Sequence, residues 1–122
     1  FELNLETSPS YIRTTDLSKE DTSAQMVALL QLENAPEAVI AFNDYVALDA
    51  IKVTRTQGRN LPFLSFANLP ITDYMEHGPI ASVEQFPYQI GQKAGQLLWD
   101  VMNDRNIPYK EELVHSVLQI RS

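Results

Sequence analysis

The segment AVIAFNDYVALDAI, residues 38–51, constrains the fold more than any other part of the chain. It opens with five consecutive apolar residues, a pattern typical of a strand buried on both faces of a parallel sheet. Asn43 and Asp44 interrupt the run, and apolar residues then recur at helical spacing. A strand, a polar break and an amphipathic helix form half of a βαβ unit, and open α/β sheets bind ligands where Asn43 lies, at the carboxyl ends of strands.

The rest of the chain continues the alternation of strands and helices. A helix is predicted from about Lys19 to Glu33, with Ser18 as its cap and a buried stripe formed by Ala24, Val27 and Leu30. The other predicted elements are a β-favouring run at 11–14, strands at 61–66, 80–84 and 113–120, and a helix at 86–104. This order predicts one α/β domain over residues 1–122, a three-layer sandwich with a mainly parallel sheet.

Composition excludes several classes of function. The chain has 122 residues, a net charge of −7 and no cysteine, so it forms no disulfide and carries no thiolate chemistry. An acidic chain is repelled by phosphate backbones, which makes these residues by themselves a poor nucleic-acid binder. The apolar runs are too short for a membrane span. The two histidines, His77 and His115, lie on different predicted elements, and there is no nucleophile elbow or phosphate loop. We therefore expect no metal, no cofactor, no catalytic residue and no enzymatic activity.

Two stretches resemble the LacI/GalR family of transcription regulators. Residues 38–51 are similar to that family's strand, Asn-Asp and helix segment, which sugar-binding periplasmic proteins share. The next block of the family is matched by LSFAN at 64–68, PIASVEQFP at 79–87 and GQKA at 91–94, and an upstream turn is matched by Thr15-Asp16-Leu17. The resemblance covers roughly residues 11–121 in the same order.

The resemblance implies a periplasmic-binding-protein-like fold in which these residues form most of the C-terminal subdomain. It implies the effector-sensing and dimerisation part of a cytoplasmic LacI-type regulator. Such a regulator is a homodimer that binds a small effector, sugar or purine-like, and contacts DNA only through a basic N-terminal headpiece absent from this sequence. The helix at 87–104 would pack on the N-terminal subdomain, also absent here. A periplasmic sugar-binding protein of an ABC transporter is the alternative.

The ligand-binding residues expected from this resemblance are Asn43, Asn68 and Asp44. The carboxamide of Asn43 can donate to and accept from a sugar hydroxyl or a purine edge, although Asn43 also suits a simple turn before the helix. Asp44 also suits a structural role, accepting from free N–H groups at the start of the helix. Asn68 replaces an aspartate that the family carries one position earlier, where this chain has Ala67.

Two further departures concern the same expected site. Leu17 stands where the family often has a stacking aromatic residue, and Ser65 stands where glycine is usual. Together with Ala67, they argue against a simple pyranose site. The residues expected at a dimer interface are Leu48, Tyr74 and Met75; the alternative is that Leu48 is helix core and that the other two are loop residues.

Overall fold

The structure, a computed structural model, describes residue 4 and residues 8–121. Its α-helices are α1 (Lys19–Leu30), α2 (Asp44–Thr56) and α3 (Pro87–Asn103), and two short 3-10 helices span Pro9–Tyr11 and Pro70–Tyr74. Its strands are β1 (Val39–Ile40), β2 (Phe63–Phe66), β3 (Ala81–Glu84) and β4 (Val117–Ile120). The predicted helices and strands are confirmed with shorter strands, except that the run at 11–14 is not a strand.

The four strands form one sheet in the order β1-β2-β3-β4. β1, β2 and β3 are parallel, with Ile40 opposite Leu64 and Ser65 opposite Ser82, and β4 is antiparallel to β3. The α/β class with a mainly parallel sheet is therefore confirmed. Because parallel strands end on the same side, the residues that follow β1, β2 and β3 meet at one edge of the sheet.

The hydrophobic core lies between β2 and the pair of helices α1 and α2. It consists of buried apolar residues from all three elements, namely Met26, Leu29, Ala50, Ile51 and Phe63. The stripe predicted for α1 is wrong in part: the helix buries Thr22, Met26 and Leu29, whereas Ala24 is exposed and Leu30 packs half-buried against the core. Apolar residues lie on several sides of α1, so only its packing against α2 decides which side is buried.

β1 is not buried on both faces, which corrects a second expectation. Ala41 is buried, but Ile40 is 74% exposed and Phe42 is 73% exposed. Among the described residues, the strand lies at one end of the sheet order, and its Val39 packs half-buried against the core. In this protein, the continuous apolar run at 38–42 therefore forms a strand that is covered on one face only.

α3 buries none of its residues. Ile90, Leu98 and Val101, three members of its apolar stripe, are exposed, and so are all four residues of β4. A methyl group placed on Gly91 or Gly95 would meet no atom within 4 Å, so neither glycine brings two backbones together here. Among the described residues, no helix is long and apolar enough to cross a membrane.

Candidate functional site

Asp44, the first residue of α2, joins three elements at the carboxyl edge of the sheet. The side chain is fully buried, at 0% exposure. Its Oδ1 accepts a hydrogen bond from Ser82 Oγ of β3 at 2.8 Å and another from Ser65 Oγ of β2. Its Oδ2 accepts from the backbone N–H of Leu69 at 2.5 Å. The carboxyl group therefore ties the start of α2 to two strands and to the loop after β2.

This geometry gives Asp44 a role different from either of the two expected for it. Its oxygens bond strand and loop donors instead of the N–H groups of α2, and no part of the side chain is exposed to a ligand. Ser65, the residue in place of the usual glycine, supplies one of the donors. Neither serine was singled out as a partner of Asp44 in the sequence, because 21 and 38 positions separate them from it.

Asn43 caps α2. Its backbone is extended, with φ −153°, and its Oδ1 accepts from the backbone N–H of Val46 at 2.9 Å. This is the structural role that was the alternative for this residue. The side-chain nitrogen Nδ2 has no hydrogen-bond partner within the described part of the chain, and the residue is half-buried. Ligand contact by Asn43 stays a prediction, and Nδ2 is the atom available for it.

Asn68 is held from both sides by other residues. Its Nδ2 donates to Glu84 Oε2 at 3.0 Å, and its Oδ1 accepts from Arg121 Nη2 at 2.8 Å. Arg121 Nε in turn donates to Asp73 Oδ1 at 3.0 Å. We call Asn68, Asp73, Glu84 and Arg121 the edge network. Because both polar atoms of the Asn68 side chain bond protein groups, a ligand would have to share or replace these bonds.

Glu84 connects the edge network to the start of α3. Its Oε1 accepts from the backbone N–H of Phe86 at 2.7 Å. The hydrogen bond from the Asn68 side chain, followed by the one from the Phe86 N–H, holds the pKa of Glu84 below its ordinary value, against a smaller opposing effect of desolvation. The network therefore stabilises an ionised carboxylate where the chain leaves β3.

The backbone is strained at four residues in the connections between elements. Leu17, Ala67, Asn68 and Phe86 all have positive φ, between 51° and 98°. Each such non-glycine residue costs roughly 1–2 kcal/mol. Hydrogen bonds from neighbouring groups, such as that of the Asn68 N–H to Ser82 Oγ at 3.0 Å, offset the cost. Leu17 and Ala67 contribute no polar side-chain atom to the site.

The three residues expected at a dimer interface differ in how much of each residue is exposed. Tyr74 is 85% exposed and Met75 is 45% exposed, at the end of the second 3-10 helix, whereas Leu48 on α2 is half-buried. Their contact with a second chain stays a prediction. Within the described residues, no group of three or more His, Asp or Glu residues is placed to hold a metal ion.

Comparison with known proteins agrees with this architecture. The model of a periplasmic binding protein-like domain family matches residues 2–122. The HTH-type transcriptional repressor CytR of Escherichia coli (strain K12) is 32% identical over 117 residues, which cover 93% of this chain and 34% of the repressor. The HTH-type transcriptional repressor PurR of Aliivibrio salmonicida (strain LFI1238) is 27% identical over 109 residues, or 86% of this chain and 32% of PurR.

A solved structure extends the comparison to the fold. The transcriptional regulator CelR in complex with cellobiose superposes with a TM-score of 0.85 at 21% identity, covering 96% of this chain and 37% of that chain. The chain thus spans about a third of the length of the curated relatives that it matches. The resemblance to LacI-type regulators found in the sequence is confirmed.

Replacing Asp44 tests whether its carboxyl group holds α2, β2 and β3 together at the carboxyl edge of the sheet. In Asp44→Ala, two buried hydroxyls and one N–H lose their acceptor, and each unpaired group costs about 1–3 kcal/mol. We expect the free energy of unfolding, measured by urea denaturation, to fall by about 3 kcal/mol or more. Asp49→Ala on the same helix is the matched control and should change it by less than about 0.5 kcal/mol. Equal effects of the two substitutions would contradict the assignment.

The lowered pKa of Glu84 predicts a pH dependence of stability. A carboxylate with a depressed folded-state pKa contributes stability above its unfolded pKa of about 4.3, and this contribution is lost as the pH falls through the folded pKa. Glu84→Gln should therefore lose less stability than the parent between about pH 5.5 and pH 3, as measured by urea midpoints. Glu111→Gln, at an exposed position, should follow the parent. Identical pH profiles for all three proteins would show that Glu84 does not contribute.

Proposed function

The chain belongs to the periplasmic binding protein-like domain family, and from this premise we propose that it is the effector-sensing and dimerisation part of a LacI-type transcriptional regulator. The observation that carries the proposal is the 32% identity to the repressor CytR across 93% of the chain. A periplasmic sugar-binding protein of a transporter is the weaker candidate, because the curated relatives described above are repressors. The regulator would act in the cytoplasm, where its DNA lies.

The proposed mechanism is a shift between two arrangements of subdomains. Asp44 fixes α2, β2 and β3 relative to one another, so the groups at their edge move as one unit. An effector that touches this edge and a second subdomain at the same time binds the closed arrangement better than the open one. The difference in affinity shifts the dimer between states that bind DNA and states that do not.

The exposed apolar residues of α3 support the proposal that the protein contains a second subdomain. Its exposed apolar side chains, among them Ile90, Leu98 and Val101, are what a helix shows when its packing partner lies outside these 122 residues. In the proposed regulator, the helix at 87–104 packs on the N-terminal subdomain. A basic headpiece would make the DNA contacts, because residues 1–122 carry a net charge of −7 and are repelled by the phosphate backbone.

The proposed effector is a small molecule, sugar or purine-like, with a hydrogen-bond acceptor for Asn43 Nδ2. The edge offers that donor next to the apolar side chain of Phe42, which is exposed. Ala67 and Leu17 supply neither a carboxylate nor an aromatic face, which disfavours a simple pyranose. The cellobiose bound to CelR shows that a regulator of this fold takes a sugar.

The proposed function is tested on the full-length protein by measuring binding to duplex DNA. We expect sequence-specific binding that weakens steeply between about 50 and 200 mM salt, since phosphate contacts release counterions. One compound from a thermal-shift screen of sugars, phosphosugars and purines should change the duplex affinity. Full-length protein with no specific duplex binding at low salt, with or without these compounds, would refute the regulator and favour the transporter protein.

Asn43→Ser separates a ligand contact from helix capping. Serine keeps an oxygen that accepts from the Val46 N–H, so the urea midpoint should change little. It removes the amide donor, so effector affinity measured by calorimetry should fall by roughly tenfold, the value of about 1.4 kcal/mol for one hydrogen bond. Asn43→Ala should lower both stability and affinity. Unchanged affinity in Asn43→Ser would remove Asn43 from the binding site.

The proposed homodimer uses Leu48, Tyr74 and Met75. Glutamate at Leu48 or Tyr74 would place like charges against each other across a two-fold axis. We expect Tyr74→Glu to convert the full-length dimer to monomer in sedimentation velocity at micromolar concentration. Tyr109→Glu is a control at another exposed tyrosine, 89% exposed, and should leave the dimer intact. A dimer that survives both Leu48→Glu and Tyr74→Glu would exclude this surface.

A further inference from the structure

A second apolar stripe runs along the exposed surface of α3. It consists of two aromatic residues, two glycines and a methionine, namely Tyr88, Gly91, Gly95, Trp99 and Met102. Tyr88 is 78% exposed, Trp99 is 62% exposed and Met102 is 68% exposed, and both glycines are exposed as well. We call these five residues the outer stripe.

The outer stripe and the stripe of Ile90, Leu98 and Val101 lie on different sides of α3. At 100° per residue, the centres of the two stripes are about 110° apart around the helix axis. A helix packed on one partner buries a stripe about 100° wide, so a partner that covers one of these stripes leaves the other exposed. In the proposed regulator, the N-terminal subdomain covers the stripe of Ile90, which leaves the outer stripe for a different partner.

The spacing of the outer stripe is the same in both directions from Gly95. Successive members are separated by three, four, four and three positions along the sequence. When two copies of α3 lie antiparallel with Gly95 on a two-fold axis, Tyr88 of each copy lies opposite Met102 of the other. Gly91 of each copy then lies opposite Trp99 of the other. A thioether thus meets an aromatic ring, and the largest side chain meets a residue without one.

The two glycines allow the backbones of two helices to approach closely. A methyl group placed on Gly91 or Gly95 would meet no atom within 4 Å, so no other described residue uses the space that they leave. Glycine within a helix destabilises it relative to alanine, and the described residues offer no compensating contact at either position. A second helix packed against this side of α3 would supply that contact, because glycine lets it come nearer than any side chain would.

The absence of charge on the outer stripe favours a second copy as its partner. α3 has two charged residues, Lys93 and Asp100, and both lie about 140° or more from the centre of the stripe. Lys93 Nζ donates to Glu112 Oε2 at 3.3 Å. Two copies of a chain with a net charge of −7 repel each other, and they meet at the lowest cost where the contact surface is uncharged. A strongly basic or acidic partner would find no complementary charge on the stripe.

We infer that the outer stripe is a self-association surface, at which the α3 helices of two copies pair antiparallel across a two-fold axis at Gly95. The surface is separate from the interface proposed at Leu48, Tyr74 and Met75, so in full-length protein it joins one dimer to another. This inference rests on the proposed function in that the stripe of Ile90 is covered within the same protein.

The size of the surface predicts weak association. α3 has 17 residues and is therefore about 26 Å long. One pair of such helices buries much less than the roughly 1,600 Å² of a standard protein interface, so dissociation constants of about 100 µM are expected. At micromolar concentration the full-length protein stays a dimer, and the α3 pair forms only in concentrated solution.

Sedimentation equilibrium of full-length protein at about 2 µM and about 200 µM tests the inference, because these concentrations bracket the expected dissociation constant. The average mass of the parent should rise towards double between them. Gly95→Asp places two like charges at the axis and should abolish the rise, and so should Gly95→Lys. An equimolar mixture of the two variants brings opposite charges together and should restore the rise. Asn60→Asp, an exposed control between α2 and β2, adds the same charge as Gly95→Asp and should behave as the parent.

The variants are expected to fold. Aspartate and lysine are both better helix formers than glycine, and neither side chain would meet another described residue near its Cβ, so the urea midpoint should not fall. This separates loss of pairing from loss of structure.

Four outcomes would overturn the inference. They are a parent mass that does not rise, a rise that persists in Gly95→Asp, a mixture of the two variants that stays unassociated, and a rise that appears only after a different protein is added. A rise that Val101→Asp abolishes and Gly95→Asp does not would assign the association to the stripe of Ile90. Duplex binding is measured separately: a rise that depends on Gly95 without duplex binding would refute the regulator and keep the α3 pair.

Discussion

The hydrogen bonds of the buried Asp44 carboxyl group are the interaction on which the carboxyl edge of the sheet depends. One side chain accepts from β2, from β3 and from the loop after β2, and it stands at the start of the helix that follows β1. A buried carboxyl group is costly unless its lone pairs are used. Because the buried carboxyl group needs these donors, Ser65, Ser82 and the backbone N–H of Leu69 are held in fixed positions. The start of α2, which carries Asp44, is fixed with them.

The edge network extends this constraint to the connections of the chain. Asn68 bonds Glu84, which precedes α3, and Arg121, which follows β4. The start of α3 and the end of β4 are thus tied to one loop, even though α3 itself buries nothing. In the proposed regulator, the connection from β3 to α3 runs between two subdomains, so movement of one relative to the other would act on Glu84 in this network.

Local patterns in the sequence predicted the elements and the loops but not the burial of each face. The cap of α1 by Ser18 and the turn at Asn43 before α2 follow from interactions within a few residues, and the structure has them. The buried sides of α1 and β1 were mispredicted, because these depend on which elements lie opposite. Asn68 was expected to bind a ligand, but that expectation did not include its hydrogen bond to Arg121. The two residues lie 53 positions apart, which is too far for a local sequence pattern to connect them.

By itself, the sequence determined the α/β class, the order of elements and the family, because periodicity, capping residues and short motifs are local and survive in any fragment of the chain. Only the tertiary structure decided what the polar residues of AVIAFNDYVALDAI do. In the structure, the buried side chain of Asp44 links α2 to β2 and β3. Asn43 caps α2, and its Nδ2 makes no hydrogen bond to the described residues. Among the described residues, the structure also leaves β1 paired on one side only. Hydrogen-bond partners and exposed edges are set by the spatial proximity of distant segments, which single-sequence patterns do not encode.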